Sequence, residues 1–534
     1  MKVSPTTMFR STAFVFGSRA VDAVVAIIFS IFVARMLGES RYGFVGATMG
    51  VVGLVSIIGN MGLSNATTKW ISEYDAVGAT SRQRTIIAAA VIIEFALGMA
   101  GAVICFAFAD RIAVDVFGKP EIALPLKVAA PIVLLGPFTN GIIAVFQGYH
   151  RMEYFMLTTT AGGVARMVST LVFLTWDNSI PSAVMGFLVG HLCATVFSSA
   201  ILVVKIIPNI GPEPFAPMKD EVTRIFTFGL PILFMEAASM IYEWTGTLFL
   251  AALSDDVRDV SWFTIAFGIV SLPLLLSRSV GTAIFPIISN LHARKKRRTL
   301  RAAYAQAMKL TLVTMLPITL LLLALGPYVI YVLYGEGFLP AMIPLMALTG
   351  WALLRPLATV SGASIAGVTH PEHNAYAAII TLSINIPMLF LFIPVTKPWP
   401  FSFIPVSGVV GAALATTLSY IVGMSLQIYW ANKYIRARLD YRRFMLAIAA
   451  GMAAATVSGL IVLAAGNPID LGTWKALAVG AGAGLAGLGT YLVMIRFLGV
   501  MDKADMEMVR QLNVPAKRYI LKLVRFLTKD GDAR

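Results

Sequence analysis

Charged side chains deep inside apolar runs are the residues here with chemistry in them. Arg19, Arg278 and Arg355 each stand within a long apolar stretch, as do Asp22, Glu94, Glu236 and Glu243. An Arg at the centre of a bilayer-spanning helix costs about 2.5–3.5 kcal/mol, so such residues face a bundle interior or a water-filled cavity. Arg19 lies about nine residues, ~13 Å at 1.5 Å per residue, from the near end of its helix. Asp22 follows at i+3 on the same face and can pair with it. Arg355 falls near the middle of its run, and Arg278 is similarly deep. Arg stays charged when buried and grips phosphate bidentately. A cavity built from Arg19, Arg278 and Arg355 therefore suits a substrate with a phosphate or pyrophosphate head. Asn60 and Asn140 join them as substrate-binding candidates. Asp22, Glu236 and Glu243 would balance charge or carry H+ or Na+ coupling. Glu236 and Glu243 are seven apart and share a helix face. The plainer alternative is buried ion pairs that hold helices together, and it is the stronger reading for Arg166 and Glu94. Lys309, near a helix end, is expected to snorkel.

Other chemistry is missing from the sequence. It holds no Walker A, no GxGxxG after a strand and no HExxH. His150, His370 and His373 fall in loops, and His191 and His292 are isolated, so spacing suggests no ligand set and no metal. No cofactor is expected, and ATP is not expected to drive the protein directly. Cys105 and Cys193 both lie in apolar runs and read as packing residues.

The elements that must position these residues are membrane helices. The chain has 534 residues, 58% apolar and 13% charged, with mean hydropathy +0.81. Soluble proteins carry about 25% charged residues. Fourteen spans are expected, near 10–36, 42–62, 85–109, 122–147, 154–176, 182–205, 224–251, 260–288, 304–333, 340–366, 374–395, 405–431, 444–465 and 474–498. The start superficially resembles a signal peptide, but its apolar part is long and contains Arg19 and Asp22, so it reads as the first span.

Net charge is +15. Its distribution points to membrane topology rather than to nucleic acid. With the N-terminus cytoplasmic, and with residues near span ends counted with the adjoining loop, 29 of the 42 Lys and Arg fall inside and 8 outside, the other five lying within spans. That asymmetry supports an even number of spans with both ends cytoplasmic. The Arg294–Arg298 run, between two spans, reads as an inside anchor. The tail beyond Pro515, with Tyr519, Ile520, Leu523, Val524 and Leu527 on one face, reads as a basic amphipathic helix on anionic headgroups.

One stretch occurs twice. Gly136–Glu153 and Arg355–Glu372 align without a gap at an offset of 219, matching Pro137, Ala144, Gly148 and Glu153 to Pro356, Ala363, Gly367 and Glu372. A repeat of that length suits a duplicated transporter half, two similar lobes facing across a cavity.

The span pattern, GLSNATTKWISEY after the second span, FQGYHRMEY after the fourth and YGEGFLPAMIPLMALTGW before the tenth carry a resemblance. The chain resembles, over nearly its whole length, the polysaccharide-transporter branch of the multidrug/oligosaccharidyl-lipid/polysaccharide exporter (MOP) superfamily. The resemblance implies an all-α polytopic membrane protein with a MATE/MOP-type fold. That means fourteen transmembrane helices, as two pseudo-symmetric six-helix lobes (1–220 and 221–440) plus two C-terminal helices (441–500), then a cytoplasmic basic amphipathic tail (501–534). It implies a flippase that moves a polyprenyl-(pyro)phosphate-linked oligosaccharide from the cytoplasmic to the outer leaflet by alternating access. In related lipid II flippases a cavity Arg cluster holds the pyrophosphate. Arg19 and Arg278 lie on the first and eighth spans, from which that cluster is drawn, whereas Arg355 rests on burial alone. The expected partners are the lipid-linked oligosaccharide, membrane lipids and glycan-assembly enzymes, around a monomer in the cell membrane, with no nucleic acid.

Three other readings compete. A drug/cation antiporter of the same superfamily should have an acidic, aromatic site and commonly twelve spans. Short outer loops and no carboxylate–His constellation argue against an enzyme. A non-transporting membrane scaffold leaves no mark by which sequence would exclude it.

Overall fold

The computed structural model describes residues 5–60, 62–393, 408–502, 505–506 and 517–528. Among these there is no strand; every regular element is helical. In chain order the helices are α1 (Pro5–Val55), α2 (Ile57–Asn60), α3 (Leu63–Val77), α4 (Thr80–Ala107), α5 (Ala109–Arg111), α6 (Ala123–Gly148), α7 (Met152–Trp176), α8 (Ile180–Ile201) and α9 (Met218–Leu253). They continue with α10 (Arg258–Ser271), α11 (Leu274–Ala293), α12 (Arg297–Tyr334), α13 (Met342–Gly367), α14 (Glu372–Phe392), α15 (Gly408–Ile435), α16 (Tyr441–Ala465), α17 (Pro468–Phe497) and α18 (Lys517–Leu527).

Among the described residues twelve segments are long and apolar enough to cross a bilayer, and the chain is a polytopic membrane protein. The first of them runs 54 residues, Val24–Val77, about 80 Å if straight, far more than a ~30 Å hydrocarbon core needs. Within it Gly38 takes φ 74, ψ 172, a conformation that side chains with a Cβ rarely adopt, and there α1 turns. The stretch expected as one span at 260–288 is instead two shorter helices, α10 and α11, meeting at Leu272–Pro273. Proline lacks the N–H a continuous helix would need there. Elsewhere helix starts follow local chemistry. Ser179 caps α8, Asp440 caps α16 and Asn467 caps α17, each side chain accepting a backbone N–H of the first turn.

The chain forms two compact units, residues 1–261 and 262–534. In the first, Leu63, Ile71, Ile86, Ile142, Phe146 and Ile225 build one core, and Phe29, Val33, Leu37, Val45 and Leu174 a second. In the second unit, Tyr304, Leu316, Val360, Ile365, Ala450 and Tyr491 anchor a large core. Outward-facing Leu463 and Leu485 are strongly exposed, as membrane-facing residues are. Trp176 and Trp474, at helix ends, are about as exposed as side chains become, and helix-end tryptophans suit the headgroup level.

The repeat is present in the backbone. α6 and α13 begin and end 219 residues apart, 123 to 342 and 148 to 367. The next turns match too. His150 and Thr369, again 219 apart, both take positive φ, at 58° and 70°. Gly148 and Gly367 close both helices at the same kind of crossing. A Cβ on Gly148 would stand 2.7 Å from Ile71 Cβ on α3, and one on Gly367 2.9 Å from Ile288 Cγ2 on α11. Small residues let helix backbones approach this closely.

The tail differs from expectation. Val524 and Leu527 of α18 are buried in the second unit's own core, so its apolar face rests partly on protein. Arg496 reaches from α17 to the Phe526 carbonyl and lies 4.7 Å over its ring. The side chains of Tyr519, Ile520 and Leu523, and residues 507–516 and 529–534 entirely, lie outside the described residues.

Candidate functional site

Three of the expected residues, Asn60, Asn140 and Glu236, lie around a break in the first unit. After α1 the helix is interrupted at Ser56, resumes for one turn as α2, and breaks again before α3. Gly62, at the second break, has φ 65, and a Cβ there would meet the Gly229 carbonyl of α9 at 2.5 Å. Both the torsion and the close approach call for glycine. The break turns a run of short polar side chains toward three neighbouring helices. Asn60 accepts from Asn140 Nδ2 at 3.3 Å and donates to the Ser56 carbonyl at 3.1 Å. Ser64 donates to Glu94 Oε1 at 3.3 Å, and Asn65 Nδ2 donates to Glu236 Oε1 at 2.7 Å. Thr68 donates to the Ala144 carbonyl at 3.1 Å.

Of the expected site residues in this unit, Asn60 and Asn140 are therefore brought into contact, and Glu236 is bound by Asn65. Glu243 lies two turns farther along α9 and is half-buried. Asn65, on polar α3, and Asn140, in apolar α6, are exposed, while Glu94 is 1% exposed against the backbone face of Gly141. Arg19 and Asp22 sit on α1, but their side chains lie outside the described residues. Arg166 has its guanidinium 5.0 Å over Phe29 and 5.6 Å over Phe187. Phe29 lies on α1 and Phe187 on α8, so these contacts join helices through aromatic rings.

In the second unit, Arg355 is half-buried at the middle of α13. Its guanidinium lies 5.3 Å over Trp351, one turn earlier, and 5.7 Å over Tyr420 of α15. Trp351 is almost wholly buried, with Phe267 at 4.8 Å behind it. The cation rests on an aromatic platform, an attraction worth about 0.5–2 kcal/mol according to its desolvation. Arg278 lies on α11, its side chain outside the described residues.

Sequence reasoning missed one ionic centre. Lys309 does not snorkel. It is 7% exposed, with Nζ 2.6 Å from Asp505, itself fully buried, and 3.4 Å from Asp502. Arg443 of α16 binds Asp502 as well. Burial pushes Asp502 up, but the Arg443 hydrogen bond and the Lys309 charge outweigh it and hold the carboxyl at about 2. Burial holds Asp505 above its ordinary value. Asp502 and Asp505 lie just past the last apolar run, where spacing gave no sign of a partner 193 residues earlier. Asn65 and Ser64 were also missed as site residues, although their segment stood out as a motif.

The sequence profile of the polysaccharide biosynthesis protein family matches residues 8–292, and that of the MatE family residues 231–391. The probable low-salt glycan biosynthesis flippase Agl15 of Haloferax volcanii is 21% identical, over 77% of this chain and 80% of its own. Lipid II flippase MurJ of Bacillus subtilis is 22% identical, over 76% and 78%. Stage V sporulation protein B of the same organism is 20% identical, over 94% and 98%. Among solved structures, lipid II flippase MurJ in an inward closed conformation superposes with TM-score 0.69 at 16% identity, covering 91% of this chain and 98% of that one. An inward-facing MATE multidrug transporter of the MOP superfamily gives TM-score 0.66 at 17% identity, covering 78% and 96%. The fold is the one these transporters share. With more than half of its length matched, the chain belongs to the polysaccharide biosynthesis protein family.

Proposed function

We propose that this protein is a flippase that carries a polyprenyl-(pyro)phosphate-linked oligosaccharide from the cytoplasmic to the outer leaflet for cell-surface glycan synthesis. The observation that carries the reading is likeness, over about three quarters of the chain or more, to relatives named as flippases. The polar break in the first unit adds chemical support. Asn65 and Asn140 are exposed amides beside the Gly62 break, and they suit a hydrated path for a sugar. Asn60, Asn140 and Arg355 are the substrate-binding residues of this proposal, together with Arg19 and Arg278. Glu236, Glu243 and Asp22 are the carboxylates for H+ or Na+ coupling. The protein moves its substrate by alternating access and breaks no bond.

The proposal includes fourteen crossings in two six-helix lobes plus a final pair, with both termini cytoplasmic. The turn at Gly38 supports two crossings within Val24–Val77, and α10 with α11 supports one more. In that topology Trp176 and Trp474 fall at the outer interface. The protein acts as a monomer and receives its substrate from glycan-assembly enzymes.

A drug/cation antiporter is the second reading, favoured by the MatE match at 231–391. The longer match at 8–292 and the cation at Arg355 weigh against it. Purified protein in lipid vesicles, given a labelled polyprenyl-pyrophosphate oligosaccharide, separates the two. Transfer between leaflets supports the flippase; exchange of organic cations without it supports the antiporter.

A further inference from the structure

From the turn after α13 into the start of α14 the chain reads Thr369-His370-Pro371-Glu372-His373. The equivalent turn of the first repeat carries an ion pair. Arg151 and Glu153, 219 residues earlier than His370 and Glu372, form an ion pair at 3.4 Å. The second repeat keeps the carboxylate and replaces the permanent cation by imidazoles.

Those imidazoles converge on one oxygen. His370 Nδ1 lies 3.0 Å and His373 Nδ1 3.4 Å from Glu372 Oε1, and the three ligating atoms all lie within 4.8 Å of one another. A tetrahedral centre with bonds of about 2.0–2.1 Å places its ligand atoms about 3.3 Å apart. The two spacings to Glu372 Oε1 lie on either side of that value, and the two histidine nitrogens lie within 4.8 Å of each other. His373 Nδ1 is shut off from solvent and makes no hydrogen bond among the described residues.

The rings are also held from behind. The Tyr434 hydroxyl lies 3.2 Å from His373 Nε2. In the tautomer with Nε2–H donating to that hydroxyl, Nδ1 presents its lone pair toward Glu372, the arrangement metal-binding histidines need. The Tyr434 ring stacks on His370 at 3.9 Å and 17°, and Trp430 meets His373 at 4.8 Å. α15 thus fixes both imidazoles, while His370 and Glu372 stay partly exposed and leave one side open to water.

We propose that His370, Glu372 and His373 form a binding site for a divalent transition-metal cation of the Zn2+ class, with its fourth position open to solvent. Two imidazoles and a carboxylate suit such a cation, whereas Ca2+ and Mg2+ take oxygen ligands. The isolated spacing HxEH gave no hint of this, because the geometry comes from the turn and from α15. The inference is independent of what the protein transports.

The test uses the full-length protein in detergent, without a polyhistidine tag, stripped with chelator and titrated with ZnCl2 against a chromogenic competitor. One Zn2+ per chain is expected, with a rise in melting temperature. His370→Ala/His373→Ala should weaken binding at least about 100-fold, and Tyr434→Phe about 10- to 100-fold. His370→Arg recreates the ion pair of the first repeat; it should stay as stable as the metal-free protein and lose the Zn2+. No Zn2+ binding by the wild type, unchanged binding in the double variant, or equal binding of Ca2+ would overturn the proposal.

Discussion

Replacing Lys309 by Met removes the only cation within 4 Å of buried Asp505 among the described residues. The methionine fills nearly the same volume, so packing changes little. What changes is a fully buried carboxylate 2.6 Å from a vanished charge. Breaking a buried pair from one side costs about 3–5 kcal/mol, because the remaining ion is left unsolvated. Asp505 already has its pKa raised by burial, so without Lys309 it should take up a proton. A group whose folded pKa is raised contributes most below its unfolded value and loses that contribution as pH rises. The deficit of Lys309→Met should therefore grow from pH 5 to pH 8. Asp505→Asn added to it removes the stranded charge but keeps an acceptor for the Asp502 N–H, bonded at 2.8 Å. The double variant should regain most of the loss. Thermal unfolding in detergent, followed by size-exclusion chromatography, measures both. Equal melting temperatures for wild type and Lys309→Met, or a double variant no better than the single, would refute the ion-pair account.

Other outcomes follow from the same structure. Gly148→Leu and Gly367→Leu should each lower thermal stability by about 1–3 kcal/mol through overpacking against Ile71 and Ile288; a neutral result in both would remove the repeated crossing from the account. Glu236→Gln keeps an acceptor for Asn65, so stability should hold while the H+ or Na+ dependence of transport shifts, which ion-gradient assays in vesicles would read. Asp502 has its folded pKa depressed to about 2, so its contribution is complete above its unfolded value and lost as pH falls toward 2. The stability gap between wild type and Asp502→Asn should accordingly be flat from pH 5 to pH 8 and shrink below pH 4.

Fold class was legible because hydropathy and charge act along the chain. Apolar runs must become helices in lipid, and the repeat at offset 219 reappears at both ends of α6 and α13. Contacts set by tertiary approach were not legible. Asn60 and Asn140 were candidates one by one and not as a pair; their contact, like the Gly62 break that presents Asn65 to Glu236, depends on how closely neighbouring helices approach. Lys309 looked like a snorkelling lysine because its partners follow nearly two hundred residues later. His370 and His373 looked like loop histidines because Tyr434, which orients them, belongs to another helix.

The most direct test of the central claim is leaflet transfer. Purified protein is reconstituted into vesicles containing a labelled polyprenyl-pyrophosphate oligosaccharide, and the glycan's exposure to an impermeant glycosidase is followed. The account predicts protein-dependent transfer that Arg355→Ala abolishes while the variant remains folded. Glycolipid that never changes leaflet, beside brisk exchange of an organic cation for H+ or Na+, would contradict it.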